Sequence, residues 1–277
     1  MDHHHSSARL RRWRLLTIAA GAAALVSTAV ASGCASRSTS PPTGTPEPDR
    51  FLFERGTEAL NQRRWFTARE FFRQLVDTYP QSPYRADGKL GIADTFLGEG
   101  SAESYVLAQN EFREFLSFYP THRNADYAQY KLGMVHFYQM HGPDRDQTET
   151  REAIRELAAF LQRYPDSEFA AEGRKHLRVA RDRLSEASFR VGVHYYRSRW
   201  YPGAVDRFRE VLDNDPEYTN RDAVYHYMGE TMMKIQRPAE ALPYFERLIA
   251  EFEQSEYLEN AQKRVGEIKA ELAARIK

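Results

Sequence analysis

The sequence predicts an all-α fold, a stack of about five helix pairs closed by a final helix. Three observations carry this. One frame of residues returns five times: Ala68, Ala108, Ala153, Ala204 and Ala241 each lead apolar positions at i+4, i+7 and i+8. Twelve residues after each Ala a stop follows, at Pro80, Pro120, Pro165, Pro216 and Glu253. A small residue also stands upstream of each frame. Gly56, Gly192 and Gly229 lie twelve residues before their Ala, Gly133 lies twenty before, implying an insertion of eight, and Ala93 fills the role in the second unit. Finally, no strand-like alternation and no hairpin signal occur anywhere in the chain.

A small residue on a first helix, an Ala on a second, an apolar knob and then Pro make a tetratricopeptide-like (TPR-like) unit, so the stack is a right-handed α-solenoid. The elements follow in order. Residues 1–33 open with Arg9, Arg11, Arg12 and Arg14, continue as an uncharged stretch from Leu15 to Ala31 and end in Ala31-Ser32-Gly33, the layout of a secretory signal. Residues 34–48 are rich in Ser, Thr, Pro and Gly, cannot bury apolar surface, and should form a disordered tether reaching roughly 40 Å. The repeat domain spans 49–277. Within it, Ser82-Pro83 reads as a helix cap followed by Pro at the first helical position, and Tyr201-Pro202 and Arg237-Pro238 repeat the proline placement. Gly98 and Gly100 stop one helix and Ser101 caps the next. From Ser167 to Arg199 the apolar spacing suits one helix of ~33 residues, with a break near Asp182 as the competing reading. Residues Glu256 to Arg275 form the cap that a solenoid needs at its exposed end.

Composition narrows the function. Removing residues 1–33 takes four arginines and one acid from totals of 39 and 39, leaving a net charge near −3 with signs interspersed. No basic stripe points to nucleic acid. There is no G-x-S-x-G, no H-E-x-x-H and no phosphate-binding Gly-rich loop. His136 and His141 are five apart and do not share a helix face as zinc ligands would, so neither a metal nor a cofactor is expected, and no enzymatic activity.

The sole cysteine, Cys34, directly follows the small residues of the leader. This resembles a bacterial lipobox, which implies lipidation of Cys34 and anchoring in a membrane. Ala35 lacks the Asp that resembles an inner-membrane retention signal, so the implied location is the periplasmic face of the outer membrane. Two further motifs are more particular than the repeat. One is Asn124-Ala125-Asp126-Tyr127-Ala128-Gln129-Tyr130 with the insertion Asp144-Arg145-Asp146-Gln147-Thr148 downstream; the other is Tyr164-Pro165-Asp166-Ser167-Glu168-Phe169-Ala170. Together with the lipobox and the Tyr-Pro endings they resemble the BamD family, lipoproteins of the outer-membrane β-barrel assembly machine, from about Arg50 to Leu272.

That resemblance implies a lipid-anchored periplasmic scaffold. Its partners would be the POTRA-domain barrel subunit, other Bam lipoproteins and unfolded outer-membrane β-barrel proteins. Arg199 aligns with an arginine the family uses against a POTRA carboxylate; as a plain residue it would be a solvated helix end. Asp144, Arg145, Asp146, Gln147 and Thr148 are read as an interface or a loop-ordering network, against a polar turn in which Thr148 caps the next helix. Counting from the small residue of each first helix, positions facing the inside of the stack in repeats one to three include Phe53, Leu60, Asp94, Tyr127, Tyr130 and Phe137, a candidate substrate groove whose aromatics could otherwise serve packing. The rival reading is an adaptor of another envelope machine, a secretin pilot or a Tol-Pal partner, which should lack the Asp144–Thr148 insertion and the Asn124–Tyr130 motif.

Overall fold

The computed structural model describes residues 40–276, and the leader, Cys34 and the first part of the tether lie outside the described residues. Residues 40–47 make a turn closed by the Thr45 N–H donating to the Pro42 carbonyl at 3.1 Å. Eleven α-helices and no strands follow among the described residues: α1 (Pro48–Asn61), α2 (Trp65–Thr78), α3 (Arg85–Glu99), α4 (Ala102–Phe118), α5 (Ala125–Gln139), α6 (Thr148–Arg163), α7 (Ala170–Arg197), α8 (Tyr201–Asn214), α9 (Arg221–Lys234), α10 (Pro238–Glu251) and α11 (Leu258–Ile276). Each helix packs on the next in chain order, and first helices of neighbouring pairs also meet, α1 on α3, α5 on α7 and α7 on α9. This is the TPR-like stack of five pairs with α11 as the cap.

The repeated frame is the core. Ala68, Ala108, Ala153, Ala204 and Ala241 are all fully buried, as are the i+4 knobs Phe112, Leu157, Phe208 and Phe245, with Phe72 at 1% exposure. The small residues make room for those knobs. A methyl group added at Gly56 would lie 2.6 Å from the Phe72 ring, at Gly192 2.6 Å from Phe208, and at Gly229 2.6 Å from Phe245. Such distances are well inside van der Waals contact, so the two helices of these pairs approach only because the Cβ is missing.

Boundaries follow the sequence signals with a few shifts. Pro202 and Pro238 sit in the first turns of α8 and α10, and the Gly100 backbone at φ 72° ends α3 before the Ser101 hydroxyl accepts from the Ser104 N–H at 3.0 Å. Ser82-Pro83 is different: α3 starts only at Arg85, and Ser82 instead accepts from the Tyr84 N–H and donates to Asp49 at 2.7 Å. The long helix is continuous from Ala170 to Arg197 with no break at Asp182, and Ser167 to Phe169 form the turn before it.

One feature of the stack escaped the sequence reading. In all five units a carboxylate on the first helix accepts a hydrogen bond from the turn that opens the next unit: Ser82 to Asp49 (2.7 Å), Asn124 to Asp87 (2.9 Å), Ser167 to Asp126 (2.6 Å), Thr219 to Asp182 (2.8 Å) and Ser255 to Asp222 (2.6 Å). These latches fix each pair against its successor.

Candidate functional site

The two motifs that stood out in the sequence meet in space. Asn124 and Asp126 open α5, and Ser167 donates to Asp126 across 41 residues of chain. Phe169 follows, packing edge-on to Tyr127 at 5.3 Å and stacking on Tyr130 at 5.5 Å. This wall faces α1 and α3 across an open groove with two adjoining recesses. The first, about 300 Å³, has Phe53, Leu60, Phe72, Leu90 and Phe169 in its apolar lining. The second, about 510 Å³, carries Trp65, Tyr105 and Tyr138. Leu60, Asp94 and Tyr127 line both and mark the seam.

Four of the six groove residues named from sequence therefore sit where the helical count put them. Phe53 also stacks on Tyr84 at 5.2 Å. Tyr130 and Phe137 lie beyond the two recesses. Tyr130 is 9% exposed in the core of the third repeat against Phe160, and both rings pack on His176 of α7. The long seventh helix reaches back over α5 and takes these two rings out of the groove. Phe169, Lys131 and Trp65 belong to the groove and were missed; the first lies in a turn, outside any helical count.

At the seam the Tyr127 hydroxyl donates to Asp94 Oδ1 at 3.0 Å, and the Lys131 ammonium lies 5.2 Å from the Tyr127 ring centre. Burial pushes the Asp94 carboxyl up to about 6, against the opposing pull of Lys131 and the Tyr127 hydrogen bond. Burial, reinforced by Asp94, also pushes the Tyr127 phenol up, so it remains a donor.

A second surface lies at the α5–α6 connection. Asp144 accepts both bonds from the Arg190 guanidinium of α7, at 2.9 and 3.1 Å. Gln147 is buried and ties the loop together, donating to the Gly142 and Arg145 carbonyls at 2.7 and 2.9 Å and accepting from Thr150 at 2.8 Å. Asp146 receives the Thr148 N–H at 2.9 Å, Thr148 is the first helical residue, and Gln147 holds the cap position without a side-chain bond to the helix backbone. Arg145 is left exposed. The hollow beneath the loop is lined by Arg145, Arg190 and Tyr195, and Tyr195 packs edge-on to Trp200 at 4.4 Å. Trp200 adjoins Arg199, whose exposed side chain stands on a backbone with φ 61°. The loop and the Arg199 turn are thus joined through Tyr195 and Trp200. Arg63 (φ 57°) and Gln236 (φ 60°) hold the same turn position in the first and fifth pairs, where a left-handed backbone would favour Gly.

One group has the spacing of a metal site: ligand atoms of His136, Glu152 and Glu156 fall within 4.8 Å of one another. Its donors are already engaged. Glu149 and Gln109 hold the two ring nitrogens of His136, and Arg155 pairs with both Glu152 and Glu156. No helix among the described residues is long and apolar enough to cross a membrane.

A profile of the YfiO family, described as outer membrane lipoprotein, matches residues 46–242. The chain belongs to this family. Among curated relatives, outer membrane protein assembly factor BamD of Caulobacter vibrioides is 29% identical over 193 residues, 69% of this chain and 62% of that protein. Those of Vibrio cholerae and Rickettsia prowazekii are 26% and 23% identical, covering 67% and 76% of this chain and 78% and 82% of theirs. The chain thus spans less than two thirds of the Caulobacter relative's length.

Proposed function

We propose that this YfiO-family protein is a lipid-anchored periplasmic scaffold of the outer-membrane β-barrel assembly complex. It holds the POTRA-bearing barrel subunit and presents nascent barrel segments for folding and insertion, by binding alone. The match of 46–242 to an outer membrane lipoprotein family, with relatives named as outer membrane protein assembly factors, carries this reading. In it, residues 1–33 are removed, Cys34 takes the lipid, 34–48 serve as the tether and 49–277 bind. The groove over α1, α3 and α5 receives substrate. The exposed Arg145 and Arg199, on one surface linked by Tyr195 and Trp200, dock the barrel subunit.

The test is affinity purification of the tagged full-length protein from detergent-solubilised outer membranes, with partners identified by mass spectrometry. A POTRA-bearing barrel protein is expected, with recovery reduced by Arg145→Ala and lost on Arg199→Glu while the circular dichroism melt is unchanged. Full recovery by both variants would remove the docking assignment. Recovery of secretin or Tol-Pal components in place of the barrel protein would overturn the function.

A further inference from the structure

The groove over α1, α3 and α5 changes sign along its length. At the end formed by the first turns of α3 and α5, the smaller recess is lined by Asp87, Asp126 and Glu168, with Asp94 at its inner limit. The one cation lining that recess, Arg123, donates to Asp87 at 2.9 Å and neutralises that acid alone. At the other end the larger recess presents Arg63 and Lys131 among aromatic rings, and Asp94 is the only carboxylate that reaches it. Helix dipoles favour acids such as Asp87 and Asp126 in first turns. They do not account for Asp94 and Lys131 in mid-helix, or for Arg63 on a left-handed turn.

The spacing is set by α3. From Asp87 to Asp94 is about 10 Å at ~1.5 Å per residue, and the larger recess continues to Gly98 and Gly100, roughly 6 to 9 Å further. An extended chain at ~3.3 Å per residue covers that distance in about five to six residues. Between the charged ends the floor is apolar, formed by Phe53, Leu60 and Leu90.

Resting on the reading that this groove receives polypeptide, we propose that it selects extended segments of dipolar charge: a Lys or Arg side chain at the Asp126–Glu168 end, an acidic side chain at the Arg63–Lys131 end about five to six residues away, and an apolar or aromatic side chain between them. Charge complementarity chooses the ends and the apolar floor chooses the centre. A segment with two acidic residues at this spacing meets repulsion at one end, and one with two basic residues meets it at the other.

Three end-capped fluorescent peptides differing only at the two flanking positions, Lys–Glu, Lys–Lys and Glu–Glu around a common Phe-centred core, would be titrated against the full-length protein in detergent by anisotropy. The Lys–Glu peptide is expected to bind about fivefold tighter than either of the others at low salt, with the advantage gone in 1 M salt. Arg63→Glu should transfer the advantage to the Lys–Lys peptide. Lys131→Gln, a milder change, should bring the Lys–Glu and Lys–Lys affinities together, with melting curves confirming that both variants fold. Binding of all three peptides with equal affinity would overturn the charge selection while leaving the groove as a polypeptide site. Failure of every peptide to bind would remove the groove from the proposed function itself.

Discussion

Replacing Asp94 by Asn should stabilise the protein at neutral pH and leave it nearly unchanged in acid. The Asp94 carboxyl is raised from 3.8 to about 6, first by burial, with Lys131 and Tyr127 acting in the opposite sense. An acid raised in the folded state binds its proton more tightly there than in the unfolded chain. Stability therefore falls as pH climbs from near 4 to about 6, and the full penalty is present above that window. Two units at ~1.4 kcal/mol each give about 3 kcal/mol as an upper limit, which partial exposure of the side chain reduces to ~2 kcal/mol. Asn retains an acceptor for the Tyr127 hydroxyl, now 3.0 Å from Oδ1, and the pull of Lys131 is already contained in the net rise to about 6. The net gain is ~1–2 kcal/mol, or about 4 °C in Tm for a domain of this size. Thermal melts followed by circular dichroism at pH 7.5 and pH 4 check it, since at pH 4 about a fifth of the difference should remain. An Asp94→Asn protein that melts lower at pH 7.5, or whose advantage is the same at both pH values, would refute the argument that a desolvated carboxylate sits at the seam of the groove.

Gly229→Ala should destabilise by ~1–3 kcal/mol, because the new methyl lies 2.6 Å from a Phe245 ring that is fully buried and has nowhere to move; a Tm within 1 °C of the parent would count against the close approach of α9 and α10. Arg199→Gly should do the reverse, raising stability by about 1 kcal/mol by relieving a left-handed backbone at φ 61° while weakening recovery of the barrel subunit. Calorimetry and pull-down of the one variant separate the two effects, and a protein both less stable and fully bound would contradict the strained turn and the docking role together.

The repeat was legible because its physics is local. Ala, an apolar knob four residues on, and Pro at the end describe two helices that must pack closely, and the structure buries all five Ala residues completely. Phe53, Leu60, Asp94 and Tyr127 could be counted into the groove for the same reason: a helix of known period fixes which side chains share a face. Tyr130 and Phe137 obey that period too, yet they are covered by α7, whose His176 packs on both rings from 46 and 39 residues away. Similarly, Thr148 had the chemistry of a cap, but it is the first helical residue, because Gln147, drawn into the interior by the Gly142 carbonyl and Thr150, holds the cap position and sets where the loop turns.

Sequence by itself determined the helix pairs, their number, the buried frame and the family resemblance, since each depends on spacing within some twenty residues. Only the tertiary structure decided the inter-repeat latches from Ser82, Asn124, Ser167, Thr219 and Ser255, the meeting of the Asn124 and Tyr164 motifs, the surface joining the insertion to Arg199, and the change of sign along the groove. Those features depend on the angle and register with which one pair settles on the next. Contacts separated by 30 to 46 residues of chain fix that register, and a helical period does not encode it.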